Sequence, residues 1–215
     1  MRVPEWRRSR LRAAKGSSDQ KRDKRNMIVT ATRSGDGRDT DLWRLLRAIA
    51  TGDSAKASHV LGAFPRLALE PSPIGATRAS SKPYYFKEIE HYVYAGDTAL
   101  HVAAAAYRTD IAKELVSHGA DVSARNRRGA QPIHYASIGQ PGSETWAPRA
   151  QAAIVAYLLR AGADPNAADK SGVTPLHRAV RTRCAAAVGT VTPSRRTGRA
   201  GRSWPTSWAW PRGRS

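Results

Sequence analysis

The sequence predicts an all-α solenoid of stacked helix-turn-helix units, joined by β-turn fingers and flanked by irregular or disordered basic tails. A four-residue motif recurs three times, as TALH at 98–101, QPIH at 131–134 and TPLH at 174–177. Its histidines are 33 and then 43 residues apart. A second motif, Gly-Ala-Asp, recurs at 119–121 and 162–164, again 43 residues apart. Two motifs that keep one register indicate a structural repeat.

The first motif has the residues that open a helix. Thr98 and Thr174 can accept a backbone N–H at a helix start, and Pro132 and Pro175 suit the first helical position, where the amide has no intrahelical partner. The histidines recur once per unit, so we expect each to orient its own turn by hydrogen bonds rather than to bind metal or act in catalysis.

A second helix follows in each of the first two units. Apolar residues at helical spacing in 111–116 and 154–159 predict one buried stripe per helix. Gly119 and Gly162 come next, where a helix end favours a left-handed residue, so each unit is expected to close there.

This period and the T-P-L-H motif resemble those of ankyrin repeats. The resemblance implies that the turns project as fingers and that the first helices line a concave face, a surface that binds partner proteins. Carried onto this chain, the finger tips are Arg125, Arg127 and Arg128, then Lys170 and Ser171. Because each set includes a basic residue, we expect a partner with an acidic surface. The residues that carry the repeat motif are Thr98, His101, Gly119, Pro132, His134, Gly162, Thr174, Pro175 and His177.

The second unit is longer by ten residues. The excess falls at 138–149, where glycines and prolines predict a loop between the two helices. Trp146 in this loop is either a partner contact or folded onto its own repeat. Tyr107 stands at a turn position where the family usually has glycine, so the first inter-helix turn is expected to be distorted.

The repeat domain is predicted to span 41–188 and to follow a basic, disordered tail at 1–40. Within it we place a degenerate capping repeat at 41–70, an insertion at 71–95, repeats at 96–125 and 126–168, and a truncated repeat at 169–188. The aromatic residues of 71–95 either form a binding shelf or plug the core beside the capping repeat.

The third repeat is predicted to fail in its second helix. Residues 189–193, GTVTP, should not continue a helix, which would leave the apolar face of the second unit exposed. The Arg/Trp/Pro-rich segment 189–215 either covers that face through its tryptophans or results from a shifted reading frame.

The chain has 215 residues and a formal net charge of +19, from 36 basic and 17 acidic side chains. Residues 1–40 contribute 12 basic and 5 acidic side chains, and 181–215 contribute 8 basic and none acidic. Basic tails attract nucleic acid or anionic surfaces, so a nucleic-acid binder on the same scaffold is the alternative function. No apolar stretch reaches the roughly 18 residues of a membrane span, and no signal peptide is evident, so we expect a cytoplasmic protein without a membrane partner.

No catalytic, metal or cofactor motif is found. The remaining histidines lack a known ligand spacing, and no phosphate-binding or nucleophile motif occurs. His177 and Cys184, the chain's single cysteine, are a weak nucleophile pair. We therefore expect a protein-interaction module without a cofactor rather than an enzyme.

Overall fold

Helices follow one another in pairs along the chain. A computed structural model describes residues 40–143 and 146–192. The first pair precedes the repeated motifs, and each of the three motifs opens one further pair. The four pairs are α1 Asp41–Thr51 with α2 Ser54–Ala63, α3 Ala99–Ala105 with α4 Thr109–Ser117, α5 Pro132–Ala136 with α6 Pro148–Arg160, and α7 Pro175–Arg181 with α8 Ala185–Val191.

The pairs stack in two layers. The first helices α1, α3, α5 and α7 pack in one row, and the second helices α2, α4, α6 and α8 pack in the other. The core lies between the rows and includes fully buried Leu100, Ile133, Ile154 and Leu158. This arrangement confirms the predicted all-α solenoid.

The repeated motif opens α3, α5 and α7 as predicted. In each case the histidine Nδ1 accepts the backbone N–H of the residue three positions earlier, and Pro132 and Pro175 occupy the first helical position. Each helix therefore begins with one of its unpaired backbone donors satisfied.

Left-handed residues close the units. Gly119 and Gly162 have φ values of +92° and +100°, which confirms their predicted role.

The turns between the two helices of a unit also use left-handed residues. Tyr107 has a φ of +55°, and Arg183 has a φ of +54° at the equivalent turn of the last pair. The first inter-helix turn is therefore not distorted, because Tyr107 adopts the conformation that glycine usually supplies there.

The first pair has its own capping signals. Thr40 accepts the Trp43 N–H at the start of α1, and Gly52 ends that helix in the left-handed region. Leu42, Leu45 and other apolar residues at helical spacing are buried against the rest of the stack. The pair packs on α3 and α4, so it covers one end of the core.

Short elements connect α2 to α3. A 3₁₀ turn spans Pro65–Ala68, and two more, Lys82–Tyr84 and Lys87–Ile89, flank the strand β1 Tyr85–Phe86. This strand pairs antiparallel with β2 His91–Tyr92. Tyr84 and Phe86 pack against Trp43, each with ring centroids 5.9 Å from it, whereas Tyr85 and Tyr92 pair on the outside. The aromatic group thus divides between a core plug and an exposed surface.

The insertion of the second unit forms a loop between α5 and α6. Its predicted range needs one correction, because Pro148 and Arg149 belong to α6, which Pro148 opens. The loop contacts the segment before α3, since the Gln140 amide donates to the carbonyl of Ile89. Tyr107 also donates from its hydroxyl to the carbonyl of Ile138.

The prediction that no helix runs past residue 188 is wrong. Helix α8 continues through Gly189 to Val191, because Ala187 and Val191 are buried where α8 packs against α6. Gly189 lies on the exposed side, so packing offsets its poor helix propensity of about 1 kcal/mol. The apolar face of the second unit is covered as a result, and Ile154 and Leu158 are fully buried.

The basic tails fall almost entirely outside the described residues. Only Thr40 belongs to the N-terminal tail, and only residues 189–192 belong to the C-terminal segment. The nucleic-acid alternative, which depends on those tails, therefore stays a prediction.

Candidate functional site

Two fingers of the same design project from the stack. The first finger is residues 125–130 and the second is residues 168–173. Asn126 Oδ1 accepts the N–H groups of Arg128 and Ala130 at 2.9 and 3.0 Å. Asp169 Oδ1 accepts the equivalent N–H groups of the second finger, those of Ser171 and Val173, at 2.8 and 3.1 Å. Each tip is thus held by one side-chain oxygen.

Backbone hydrogen bonds join neighbouring fingers. The Arg127 N–H donates to Ala95 O at 2.8 Å, and the Lys170 N–H donates to Arg128 O at 3.0 Å. A Cβ at Gly129, whose φ is +75°, would lie 2.9 Å from the Lys170 nitrogen, so glycine permits this close approach. The finger tips therefore form one edge with a fixed register.

The histidines connect each unit to the next. Because Nδ1 accepts a backbone N–H, the proton is on Nε2, which donates to the following unit. His101 donates to Ala130 O, and His134 donates to Val173 O, each at 3.1 Å. Burial lowers the pKa of both rings, that of His134 to about 4. The neutral ring is the form that both hydrogen bonds require.

A buried carboxylate fixes the base of the first finger. Asp97 accepts the Tyr94 N–H at 2.7 Å, the Asn126 amide at 2.8 Å and the Tyr135 hydroxyl at 3.2 Å. Burial raises the pKa of Asp97. Sequence reasoning missed this cluster, although Asp97 stands directly before the first helix motif.

The ankyrin-repeat family model matches residues 95–127 and 128–170. Residues 95–170 are ankyrin repeats. Ankyrin repeats are generally protein-interaction modules and are typically non-catalytic. No curated protein shows significant similarity to the chain. Within residues 40–143 and 146–192, no helix is long and apolar enough to cross a membrane.

The ankyrin fingers bring the four predicted basic residues to one edge. We call Arg125, Arg127, Arg128 and Lys170 the cationic edge; all four are exposed. Arg125 Nη1 donates to Gly129 O at 3.0 Å and to Ala168 O at 2.8 Å, so it bridges both fingers. Ser171 is also exposed and stands beside Lys170.

The two tip arginines are held by residues outside the fingers. Arg127 Nη2 donates to Ala76 O at 2.7 Å. Arg128 Nη1 donates to the Tyr94 hydroxyl at 3.0 Å, and its guanidinium carbon lies 5.0 Å from the centre of the Tyr94 ring. Sequence reasoning did not find these supports, because they come from the insertion at 71–95, outside the repeated motifs.

Trp146 is folded against the last repeat of the stack. Its indole N–H donates to Gln151 Oε1 at 2.9 Å, and its ring packs with Ala179, Cys184 and Ala187. Only the hydrogen bond to Gln151 lies within the repeat of Trp146, since Ala179, Cys184 and Ala187 belong to the last repeat. Its role as a partner contact stays a prediction.

Cys184 has a structural environment. Its side chain is buried, its thiol donates to Gln151 Oε1 at 2.9 Å, and its sulfur accepts the Ala187 N–H at the start of α8. His177 instead caps α7 through Thr174. Among the described residues, no group of three or more His, Cys, Asp or Glu side chains is arranged to hold a metal ion.

Proposed function

We propose that this ankyrin-repeat domain is a non-catalytic protein-interaction module whose finger tips bind an acidic surface of a partner protein. The observation that carries the proposal is the cationic edge. Its four side chains are exposed on fingers of fixed register, and none of them pairs with a carboxylate within the described residues. A surface of this kind favours a negatively charged partner.

The positioning of the arginines supports the same function. Arg125, Arg127 and Arg128 are each held by a carbonyl or hydroxyl oxygen, and each retains further N–H donors. A partner carboxylate would therefore meet cations that have already lost part of their side-chain freedom. Preorganisation of this kind lowers the entropic cost of binding.

The fingers offer more contact surface than the first helices do. Every residue from Ala99 to Ala104 in α3, and all of α5, is buried. The concave face at these two units therefore presents little side chain to a partner. We assign the main contact to the fingers and a supporting role to the concave face.

The proposed domain keeps the predicted organisation. We propose a capping repeat at 41–70, repeats at 96–125 and 126–168, and a last repeat that extends through α8 to residue 191. Segment 71–95 then serves the fingers as well as the core, since Ala76 and Tyr94 hold the two tip arginines.

A charge reversal tests the proposal. The variant Arg127→Glu/Arg128→Glu should lose a partner that the wild type captures, because the edge becomes acidic where contact occurs. Arg149→Glu/Arg160→Glu is the matched control, since it changes net charge equally at exposed positions on α6.

The amounts of captured proteins would be compared among the wild type, Arg127→Glu/Arg128→Glu and the control variant. A partner lost only with Arg127→Glu/Arg128→Glu would be purified and titrated against the wild type. Circular dichroism would verify that the variants remain folded. A partner held equally by all three chains would refute the role of the cationic edge.

A further inference from the structure

A basic cavity lies beside the first finger. It has a volume of about 460 Å³, within the range typical of ligand sites. One wall is the loop 76–81, and the other is formed by Tyr92, Tyr94 and the tip arginines Arg127 and Arg128.

The cavity has positive charge without a counter-charge. Arg78, Arg127 and Arg128 line it, and none of the described residues that line it is acidic. Arg78 is exposed and makes no hydrogen bond, ion pair or ring contact within residues 40–143 and 146–192. Three guanidinium groups around one space favour a ligand with more than one negative charge.

The walls are fixed before any ligand binds. The Ala76 N–H donates to Val93 O at 2.7 Å, and Ala76 O accepts from Arg127 at 2.7 Å. A Cβ at Gly75 would lie 2.3 Å from the backbone of Tyr94, so only glycine lets the loop approach this closely. Arg128 is held against the Tyr94 ring on the opposite side.

We propose that this cavity binds a phosphorylated side chain of the partner protein. A phosphate monoester carries a charge of about −2 and three acceptor oxygens, which match three guanidinium groups better than one carboxylate does. The hydroxyl group of Ser81 lines the same space and offers a further donor. The inference rests on the proposed function, because Arg127 and Arg128 belong to both surfaces, and it specifies the acidic feature that they recognise.

The test uses the full chain and four short peptides with glycine flanks, which differ only in their central residue. In three of them this residue is phosphotyrosine, tyrosine or glutamate, and the fourth, a phosphoserine peptide, shows whether the aromatic ring matters. Titration is followed by calorimetry and by amide chemical shifts of the chain. We expect the phosphotyrosine peptide to bind at least about tenfold more tightly than the glutamate peptide, with shifts in residues 75–81 and 92–94.

The variant Arg78→Gln removes one cation that supports no other described residue. It should weaken phosphopeptide binding by about tenfold. Arg66→Gln, an exposed arginine next to α2, is the matched control and should leave the affinity unchanged. Arg127→Gln should also weaken binding, and its amide spectrum reports whether loop 76–81 keeps its place.

Equal phosphopeptide affinity in the wild type and in Arg78→Gln would place the anion elsewhere and overturn the proposal. The proposal is also overturned if the wild type binds the glutamate peptide as tightly as the phosphotyrosine peptide, or binds no phosphopeptide. The two proposals fail separately. If Arg127→Glu/Arg128→Glu loses the partner but the wild type binds no phosphopeptide, only the proposal for the cavity is refuted. If the wild type binds the phosphopeptide but the double variant still captures the partner, the role of the cationic edge is refuted.

Discussion

The histidine between the second and third units should contribute far more to stability than its counterpart at the end of the stack. His134 is fully buried and bonds both the Gln131 N–H and Val173 O. His177 makes the equivalent cap with Thr174 but is exposed, and its Nε2 has no following unit among the described residues. The substitutions His134→Ala and His177→Ala therefore form a matched pair.

The expected magnitudes follow from the groups left without partners. His134→Ala leaves the Gln131 N–H and Val173 O without a hydrogen-bond partner inside the stack, and each such group costs about 1–3 kcal/mol of stability. His177→Ala removes only an exposed helix cap, at about 0.5–1 kcal/mol. The free energy of unfolding should thus differ between the two variants by about 3 kcal/mol, taking the middle of both ranges.

Urea unfolding measures this difference. For a domain of this size, about 3 kcal/mol corresponds to a difference of about 1–2 M between the urea midpoints. Equal losses in the two variants would refute the reasoning, because they would show that the bond from His134 to Val173 O contributes nothing beyond the helix cap.

Three further predictions concern single side chains. Between about pH 7 and about pH 5 the wild type should lose about 2 kcal/mol more stability than His134→Gln, because burial lowers the pKa of His134 from 6.5 to about 4 and only the unfolded chain takes up the proton in that window. Urea unfolding at both pH values checks this, and equal losses would contradict it. Arg183→Gly should raise the free energy of unfolding by up to about 1 kcal/mol, since residue 183 has a φ of +54°; a lower melting temperature would count against backbone strain there. Asp169→Asn should lower the free energy of unfolding by about 1.5–3 kcal/mol, because Asp169 Oδ2 pairs with the buried Arg178 at 2.8 Å. Asparagine can still form the turn, as Asn126 does in the first finger, so the loss reports on the ion pair. An unchanged melting temperature would show that the ion pair does not stabilise the second finger.

Features that depend on local sequence were predictable. The helix motif determines its own cap through residues three positions apart, and Gly119 and Gly162 act within their own turns. The turns at 127–128 and 170–171 also lie where the repeat register places them. Each of these features depends on residues that are close in the chain, so the repeated motifs were sufficient to predict them.

Features that depend on distant neighbours were not predictable. The helix through Gly189 exists because Ala187 and Val191 are buried against α6, a contact that the local sequence does not reveal. The partition of the aromatic group follows from the short strand pair, in which Phe86 faces the core and Tyr85 faces outward. That pair carries no strong turn signal in the sequence.

The buried Asp97 links the core of the stack to the position of Arg128 on the cationic edge. Through one oxygen it holds the Tyr94 backbone, whose side chain positions Arg128 at the cavity. Through the other it holds Asn126, whose own oxygen forms the turn that carries the same arginine. Both supports of Arg128, one on its side chain and one on its backbone, thus begin at one fully buried carboxylate. The cost of burying that carboxylate is offset by its three hydrogen bonds, and the result is a guanidinium group already in place for an anion.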